Sequence, residues 1–248
     1  GPDGKPESIP GTLKAVKAIG WYIDEYRLAQ VSMNLTNLSV TPLHTAFDEV
    51  CRAADARGVR VTGSELVGLV PLETMLEAGR YFLRKQHRSV GISESELIHI
   101  AVTSLGLDQL GPFKPEERII EYRLRQTDLK RLVDLTVTDF TNVTASESVA
   151  PGGGSVSALL GALAAALGSM VANLSAHKRG WDSRWEEFSA WAEQAQVLKD
   201  RLLRAVDEDT QAFDRVMAAL GMPKGSAEEK AARAAALEAA NRGATEVP

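Results

Sequence analysis

From Val149 to Ala176 the chain carries no Asp, Glu, Lys or Arg, and this run opens on Pro151-Gly152-Gly153-Gly154-Ser155. Few structures accept such a stretch. It is long enough to raise a membrane-spanning helix as an alternative. Against that, it is built of Ala, Gly and Ser more than of Leu, Ile and Phe, and its flanks lack paired aromatic and basic anchors. The composition predicts a buried helix of a soluble protein, with no membrane partner. Three successive glycines let a ligand approach the backbone closely. Ser155 is placed to cap the following helix, whose free N–H groups attract anions and electron-rich oxygens. The competing reading is a plain turn before a core helix.

The 248 residues suffice for one large domain or two ordinary ones. A hydrophobic share of 44% with 25% charged residues excludes global disorder. A net charge of −5, with no Lys/Arg block, gives no support to a nucleic-acid surface, and no nucleic-acid partner is expected. Cys51 is the only cysteine, so no disulfide forms within the chain and a reducing, cytoplasmic setting is expected. The first ten residues lack the apolar core of a signal peptide. Gly at position 1 and Pro at 248 suggest a piece of a longer chain.

The two halves differ in period. Leu13, Val16, Ile19 and Ile23 at helical spacing predict a helix over 12–26, and Leu28 to Leu35 alternates as a half-buried strand with Val31, Met33 and Leu35 on one face. Thr41-Pro42 reads as an N-cap and first helical residue; Leu43, Phe47, Val50, Cys51 and Ala54 form the stripe, and Gly58 ends the helix. Val59 to Val61 begins another strand, Pro71 starts a helix, and Ser93 with Glu96 forms a capping box for a helix over 94–105. Beyond about residue 125 only helical patterns follow: 131–144, 155–176, 183–220 and 226–242, the last opened by the capping box Ser226/Glu229. The expected fold is α+β, a partial α/β sandwich over 1–124, then a linker at 125–130 and an all-α antiparallel bundle over 131–248. Gly161, Ala164, Ala165 and Gly168 are small enough to let a neighbouring helix come close.

The candidate chemistry lies in the helix over 195–220. Its stripe runs Leu198, Leu202, Val206, then Phe213, Val216 and Leu220, and Asp209 takes the position between Val206 and Phe213. A carboxylate left unpaired there is costly to bury, and burial would raise its pKa towards the range useful for proton transfer. Asp207 and Asp214 are expected in solvent. The competing structural reading pairs Asp209 with a cation, and Lys178 and Arg179 are the candidates; they can equally hold an anionic ligand or merely favour a helix C-terminus. His44, His87, His99 and His177 show no metal-ligand spacing and are assigned to packing or surface, so no metal site is expected. Trp181, Trp185 and Trp191 are assigned to core or helix–helix contact.

A resemblance joins these features. The strings AQVSMNLTN, TPLHTAFDEVC and VTGSELVGLVP within residues 29–71, and PEERIIEY at 115–122, resemble the C-terminal subdomain of glutamate formimidoyltransferases. PGGGSVSALLGALAAALGSM at 151–170 and VDEDTQAF at 206–213 resemble the cyclodeaminase/cyclohydrolase domain, and the joined order is that of the bifunctional family. The resemblance implies a folate enzyme of histidine breakdown. It would transfer formimidoyl from formimidoylglutamate to N5 of tetrahydrofolate, then close the ring onto N10 with release of ammonia to give 5,10-methenyltetrahydrofolate. It implies tetrahydrofolate as co-substrate, no metal or redox cofactor, and a homo-oligomer. The family's D-x-D-x-x-A-F string falls on Asp207, Asp209, Ala212 and Phe213, so its catalytic aspartate maps to Asp209. Gly152, Gly153, Gly154 and Ser155, with Lys178 and Arg179, become the candidate substrate-binding residues.

The chain departs from the pattern in three respects. The transferase's catalytic histidine belongs to an N-terminal subdomain, and none of the four histidines here matches its motif. The first strand and helix of the transferase's C-terminal subdomain are expected to be absent. The cyclodeaminase domain is expected to lack its last helices, which exposes the bundle's core and counts against cyclodeaminase activity in these residues alone. Formimidoyl transfer by these residues alone is not expected. The alternatives are a methenyltetrahydrofolate cyclohydrolase-like enzyme and a non-catalytic folate-binding or oligomerisation module.

Overall fold

The computed structural model describes residues 11–125 and 131–246, so the expected linker at 125–130 lies outside the described residues but for Arg125. The chain divides into two units. Of the described residues, the first comprises those up to Gln86 together with Glu94–Arg125, and the second His87–Ser93 and those from 131 onward.

The first unit begins with an antiparallel hairpin of β1 (Val16–Ile23) and β2 (Leu28–Leu35), in register from Val16 opposite Leu35 to Ile23 opposite Leu28. The helix expected over 12–26 is therefore a strand. Its apolar residues fit a helical spacing, but Val16, Ile19, Trp21, Tyr22 and Ile23 are β-branched or aromatic and Gly20 penalises a helix, so pairing with β2 prevails. β2 has the expected bounds, yet Val31 on its apolar face is exposed.

Helix α1 (Leu43–Asp55) follows Pro42, whose carbonyl accepts the first helical bond from Ala46 N at 3.1 Å. Thr41 does not cap it; its hydroxyl donates to Lys14 O at 2.6 Å. Gly58 terminates the segment in the left-handed conformation at φ +72°. The strand expected from Val59 forms no ladder among the described residues. The segment is held instead by the end of α3 (Glu94–Leu105): Ser64 N donates to Gly106 O at 3.0 Å and Ser64 Oγ to Leu105 O at 2.6 Å. Gly63 permits this approach, because a Cβ there would lie 3.0 Å from Gly106 O. Val70 makes one parallel bridge to Ile119.

Helix α2 (Leu72–Lys85) crosses α3 closely at Gly79, where a Cβ would lie 2.3 Å from Leu97 O. Met75, Ala78, Phe82, Leu97, Ala101 and Leu105 form the core of this unit, closed by Val70 and Ile119. Two short helices, α4 (Pro115–Arg118) and α5 (Ile120–Leu124), complete it.

The second unit is helical. After a 3₁₀ turn at Leu132–Asp134 come α6 (Val137–Thr144), α7 (Gly153–Ala176), α8 (Trp185–Leu220) and α9 (Ala227–Glu246). Thr136 caps α6 by accepting from Asp139 N at 3.1 Å, which explains why this helix starts later than 131. Ser226 and Glu229 form the expected reciprocal box, Glu229 N donating to Ser226 Oγ at 3.1 Å and Ser226 N to Glu229 Oε2 at 3.0 Å.

A seam of small side chains joins α7 to α8. Ser155, Ala162, Ala165, Ser169, Ala172 and Ala176 are buried on α7, and Phe188, Ser189, Ala192, Val206, Ala212 and Ala219 on α8. The stripe expected on α8 is thus only partly inward: Val206 is buried, while Leu198, Phe213 and Leu220 stay exposed. The reason is geometric, since small residues let the backbones approach and larger side chains are displaced to the edges of the seam. Ala165 and Gly161 face the close contact, Leu202 Cδ1 lying 3.1 Å from where a Gly161 Cβ would sit; Ala164 is exposed and Gly168 faces open space. The outer face of α7 carries Leu160, Leu163, Leu167, Met170, Val171 and Leu174, each at least 50% exposed. By length and composition alone α7 is able to cross a membrane.

The segment His87–Ser93 docks on this seam. Val90 N donates to Ser189 Oγ at 3.0 Å, and Gly91 O accepts from Asn173 Nδ2 at 2.8 Å and Ser169 Oγ at 3.2 Å. The aromatic residues lie near it: Trp185 meets His87 edge-on, and Phe188 is stacked on Trp181 and edge-on to Trp191.

Candidate functional site

The glycines and the carboxylate converge. Helix α7 begins at Gly153 with Gly152 as its N-cap residue, and no side chain of its own caps it. Its first turn exposes N–H groups without intrahelical acceptors. Asp209, on α8, supplies the missing acceptor: Ser155 N donates to Asp209 Oδ2 at 2.8 Å. The cap expected from Ser155 is therefore provided by a residue from the neighbouring helix. A negative group at a helix N-terminus also opposes the positive end of the backbone dipole.

Ser155 reinforces the contact. Its hydroxyl lies 3.0 Å from Asp209 Oδ2, 2.8 Å from Val206 O and 3.3 Å from Thr210 Oγ1. Ser155 is 0% exposed, and Asp209 is half-buried. Among the described residues the carboxylate is thus neither unpaired nor matched to a cation; backbone and hydroxyl donors satisfy one of its oxygens. Among the described residues no hydrogen bond reaches the other oxygen, Oδ1.

The three glycines are not equivalent. A Cβ on Gly154 would lie 2.2 Å from Asp209 Oδ1, 2.6 Å from its Cγ and 2.9 Å from Oδ2. Gly154 is the residue that lets the carboxylate rest on the α7 backbone. A Gly152 Cβ would lie an ordinary 3.7 Å from Oδ2, and Gly153 faces open space. The preceding Ala150–Pro151 peptide is cis, and Pro151 is buried.

Lys178 and Arg179 lie elsewhere. Both follow the C-terminal end of α7, 24 residues from its start, about 36 Å along the axis. Lys178 Nζ sits over the Trp181 ring, 4.6 Å from its centroid, and both residues are exposed. Within one chain they neither pair with Asp209 nor join the glycines. Asp207, expected in solvent, is half-buried and accepts from Leu132 N at 2.6 Å, capping the 3₁₀ turn; Asp214 is exposed. Thr210 and the Val206 carbonyl complete the Asp209 environment. The sequence offers no signal for them, because Ser155 and its partners are brought together over more than fifty residues of chain.

In the first unit a separate cluster surrounds His44. Its ring stacks on Tyr81 with centroids 4.3 Å apart, and its buried Nδ1 has no hydrogen-bond partner. Burial holds the His44 imidazole below its ordinary value, with Glu77 and Asp48 opposing the effect. Asp48 accepts from Tyr81 Oη at 2.5 Å and from Lys85 Nζ at 2.6 Å. Among the described residues no group of His, Cys, Asp and Glu is arranged to hold a metal.

A half-buried carboxylate is thus fixed through one oxygen at the glycine-opened start of a helix in the helical unit. Residues 2–125 match the family described as Formiminotransferase domain, and residues 136–248 match that described as Formiminotransferase-cyclodeaminase. The formimidoyltransferase-cyclodeaminase of Gallus gallus is 40% identical over 247 residues, 99% of this chain and 45% of its own length. The methenyltetrahydrofolate cyclohydrolase of Methylorubrum extorquens is 41% identical over 113 residues, 46% of this chain and 54% of its own length. The glutamate formimidoyltransferase of Thermoplasma acidophilum is 36% identical over 74 residues, 30% of this chain and 24% of its own length. The chain belongs to the formiminotransferase-cyclodeaminase family. It spans 45% of the length of the bifunctional relative from Gallus gallus.

Proposed function

We propose that the protein acts in folate-dependent one-carbon metabolism of histidine degradation, and that its helical unit carries the cyclodeaminase chemistry on 5-formimidoyltetrahydrofolate. The observation that carries this reading is the Asp209 carboxylate, anchored through Oδ2 to the start of α7 with Oδ1 free beside Gly154.

The reaction needs one proton moved between two nitrogens. In the protonated formimidoyl group, N5–CH=NH₂⁺, the N10 lone pair attacks the carbon and forms the C–N10 bond while the C=N π pair moves to the terminal nitrogen. N10 then gives its proton to Asp209 Oδ1. Asp209 returns that proton to the amino nitrogen, the C–N bond breaks, and ammonia leaves with N5–CH=N10⁺ formed. The carboxylate ends as it began. A group that both accepts and donates is what such a step requires. Tetrahydrofolate enters as co-substrate, and the glycine loop is assigned to the pterin or the reacting centre.

Several finer assignments belong to the same reading. The first unit is the C-terminal subdomain of the transferase, and its hairpin, with Ile19, Tyr22 and Val31 exposed, is the remnant of a wider α/β layer. By themselves these 248 residues do not transfer formimidoyl from formimidoylglutamate; a transferase rate measured on the isolated chain overturns that. Lys178 and Arg179 hold an anionic part of the substrate only in a homo-oligomer that brings them to another copy's Asp209. The exposed apolar face of α7 supports such an assembly, in the cytoplasm.

The similarity to methenyltetrahydrofolate cyclohydrolase favours hydrolysis as a second reading. The two are separated by assaying full-length protein for ammonia release from 5-formimidoyltetrahydrofolate and for hydrolysis of 5,10-methenyltetrahydrofolate. Ammonia release as the faster reaction supports deamination; hydrolysis without ammonia release assigns the domain to the hydrolase class.

A further inference from the structure

Ser155 has one proton to donate and more than one oxygen to receive it. Its Oγ is 2.8 Å from Val206 O, 3.0 Å from Asp209 Oδ2 and 3.3 Å from Thr210 Oγ1. A hydroxyl carries a single O–H and two lone pairs, so it cannot donate fully to both Val206 O and Asp209 Oδ2. Ser155 is also 0% exposed, which removes it from any direct contact with substrate.

The direction of its O–H depends on the charge of Asp209. When the carboxylate is ionised, Oδ2 is the stronger acceptor and draws the Ser155 O–H, a charge-assisted bond. Thr210 is then placed to donate into a Ser155 lone pair. When Asp209 takes a proton on Oδ1, Oδ2 becomes a carbonyl-type oxygen and a weaker acceptor. The Ser155 O–H turns to Val206 O, whose second lone pair remains available beside the helical bond. Ser155 N donates to Oδ2 in both states, so the carboxyl group does not have to move.

We propose that Ser155 is a positioning residue for Asp209, its hydroxyl turning between Asp209 Oδ2 and Val206 O as Asp209 loses and regains its proton. This rests on the reading that Asp209 moves the proton in ring closure. It replaces the substrate-binding role expected for Ser155 with one inside the protein. The proton itself travels from N10 to Oδ1 and on to the leaving nitrogen, and the Ser155 proton never leaves its oxygen.

The test compares Ser155→Ala with Asp209→Asn in full-length protein, following ammonia release across pH. Removing the hydroxyl takes a donor from the ionised carboxylate alone. The acid limb of the rate profile is therefore expected to move up by about one pH unit, a change equivalent to roughly 1.4 kcal/mol of lost preference for the ionised form. On the acid limb turnover should fall by up to about tenfold, with a much smaller change on the plateau above it and little change in KM. A purely structural role lowers the rate equally at every pH and leaves the limb in place, and that result overturns the inference. Should Ser155→Ala not fold by far-UV circular dichroism, Ser155→Cys keeps a weak donor, and the limb is expected to move in the same direction by less; an unmoved limb there also overturns it. If Asp209→Asn retains wild-type ammonia release, the parent reading fails. If Asp209→Asn is inactive and the limb of Ser155→Ala is unchanged, only the positioning role fails.

Discussion

Gly154→Ala and Gly153→Ala are adjacent substitutions for which the structure predicts opposite signs. A Cβ on Gly154 would stand 2.2 to 2.9 Å from three atoms of the Asp209 carboxyl group, where ordinary contact begins near 3.4 Å. The carboxylate has to retreat by about an ångström, which breaks its bonds from Ser155 N at 2.8 Å and Ser155 Oγ at 3.0 Å. Overpacking of this kind, relieved here by the half-buried carboxylate moving out into water, costs about 1–3 kcal/mol. A net loss of about 2 kcal/mol is expected. A Cβ on Gly153 meets nothing within 4 Å, and Ala there reduces only the freedom of the unfolded chain. That change stabilises by about 0.4–1 kcal/mol. With a urea slope of about 1–3 kcal/mol per molar, the two midpoints should differ by about 1–3 M. Trp181, Trp185 and Trp191 all lie in the helical unit, so fluorescence unfolding in a Trp21→Phe background reads that unit separately. Midpoints that coincide, or a Gly154→Ala protein as stable as wild type, would refute the packing of Asp209 against the start of α7.

Asp207→Ala removes the acceptor for Leu132 N and should destabilise the helical unit by about 1 kcal/mol in the same urea assay, the usual worth of a cap. Arg233 Nε and a second guanidinium nitrogen donate to Leu220 O at 3.3 and 3.2 Å, closing the end of α8. Arg233→Ala should cost about 0.5–1.5 kcal/mol, and an unchanged midpoint contradicts that capping role. In the first unit, burial lowers the His44 pKa, so the unfolded chain takes up the proton first as pH falls. Its stabilising contribution is complete above about pH 6.5 and is lost as pH falls from there towards the folded value. His44→Phe should flatten the dependence of first-unit stability on pH between about 7 and 5, measured by amide hydrogen exchange in α2 and α3, and an identical slope in both proteins removes His44 as its source.

The helical half was largely legible in the sequence because its signals are local. The Ser226/Glu229 capping box, the uncharged run and the turn residues indicate where α7, α8 and α9 lie, and Asp209 stood out as a charged residue within an apolar ladder. The first half was harder to read. The segment 12–26 has apolar residues at helical intervals, and only the partner strand decides that Val16–Ile23 is extended. The Val59–Val61 strand had the right residues but no neighbour to pair with among those described, so Ser64 bonds to the end of α3 instead. On α8 the period identified a stripe but not the seam, because the small residues of α7 choose which face comes close. The same limit applies at the site. Sequence places Gly152, Gly153, Gly154 and Ser155 together, but only the three-dimensional contact shows that Gly154 makes room for Asp209 and that Ser155 faces inward.

Asp209→Asn tests the account most directly. The amide keeps an oxygen to accept from Ser155 N, so the fold should survive, while the group loses its capacity to take up and return a proton. Ammonia release from 5-formimidoyltetrahydrofolate by full-length protein is predicted to fall by about 10²–10⁴-fold, with circular dichroism unchanged. Wild-type turnover in that variant would contradict a proton-transfer role for Asp209.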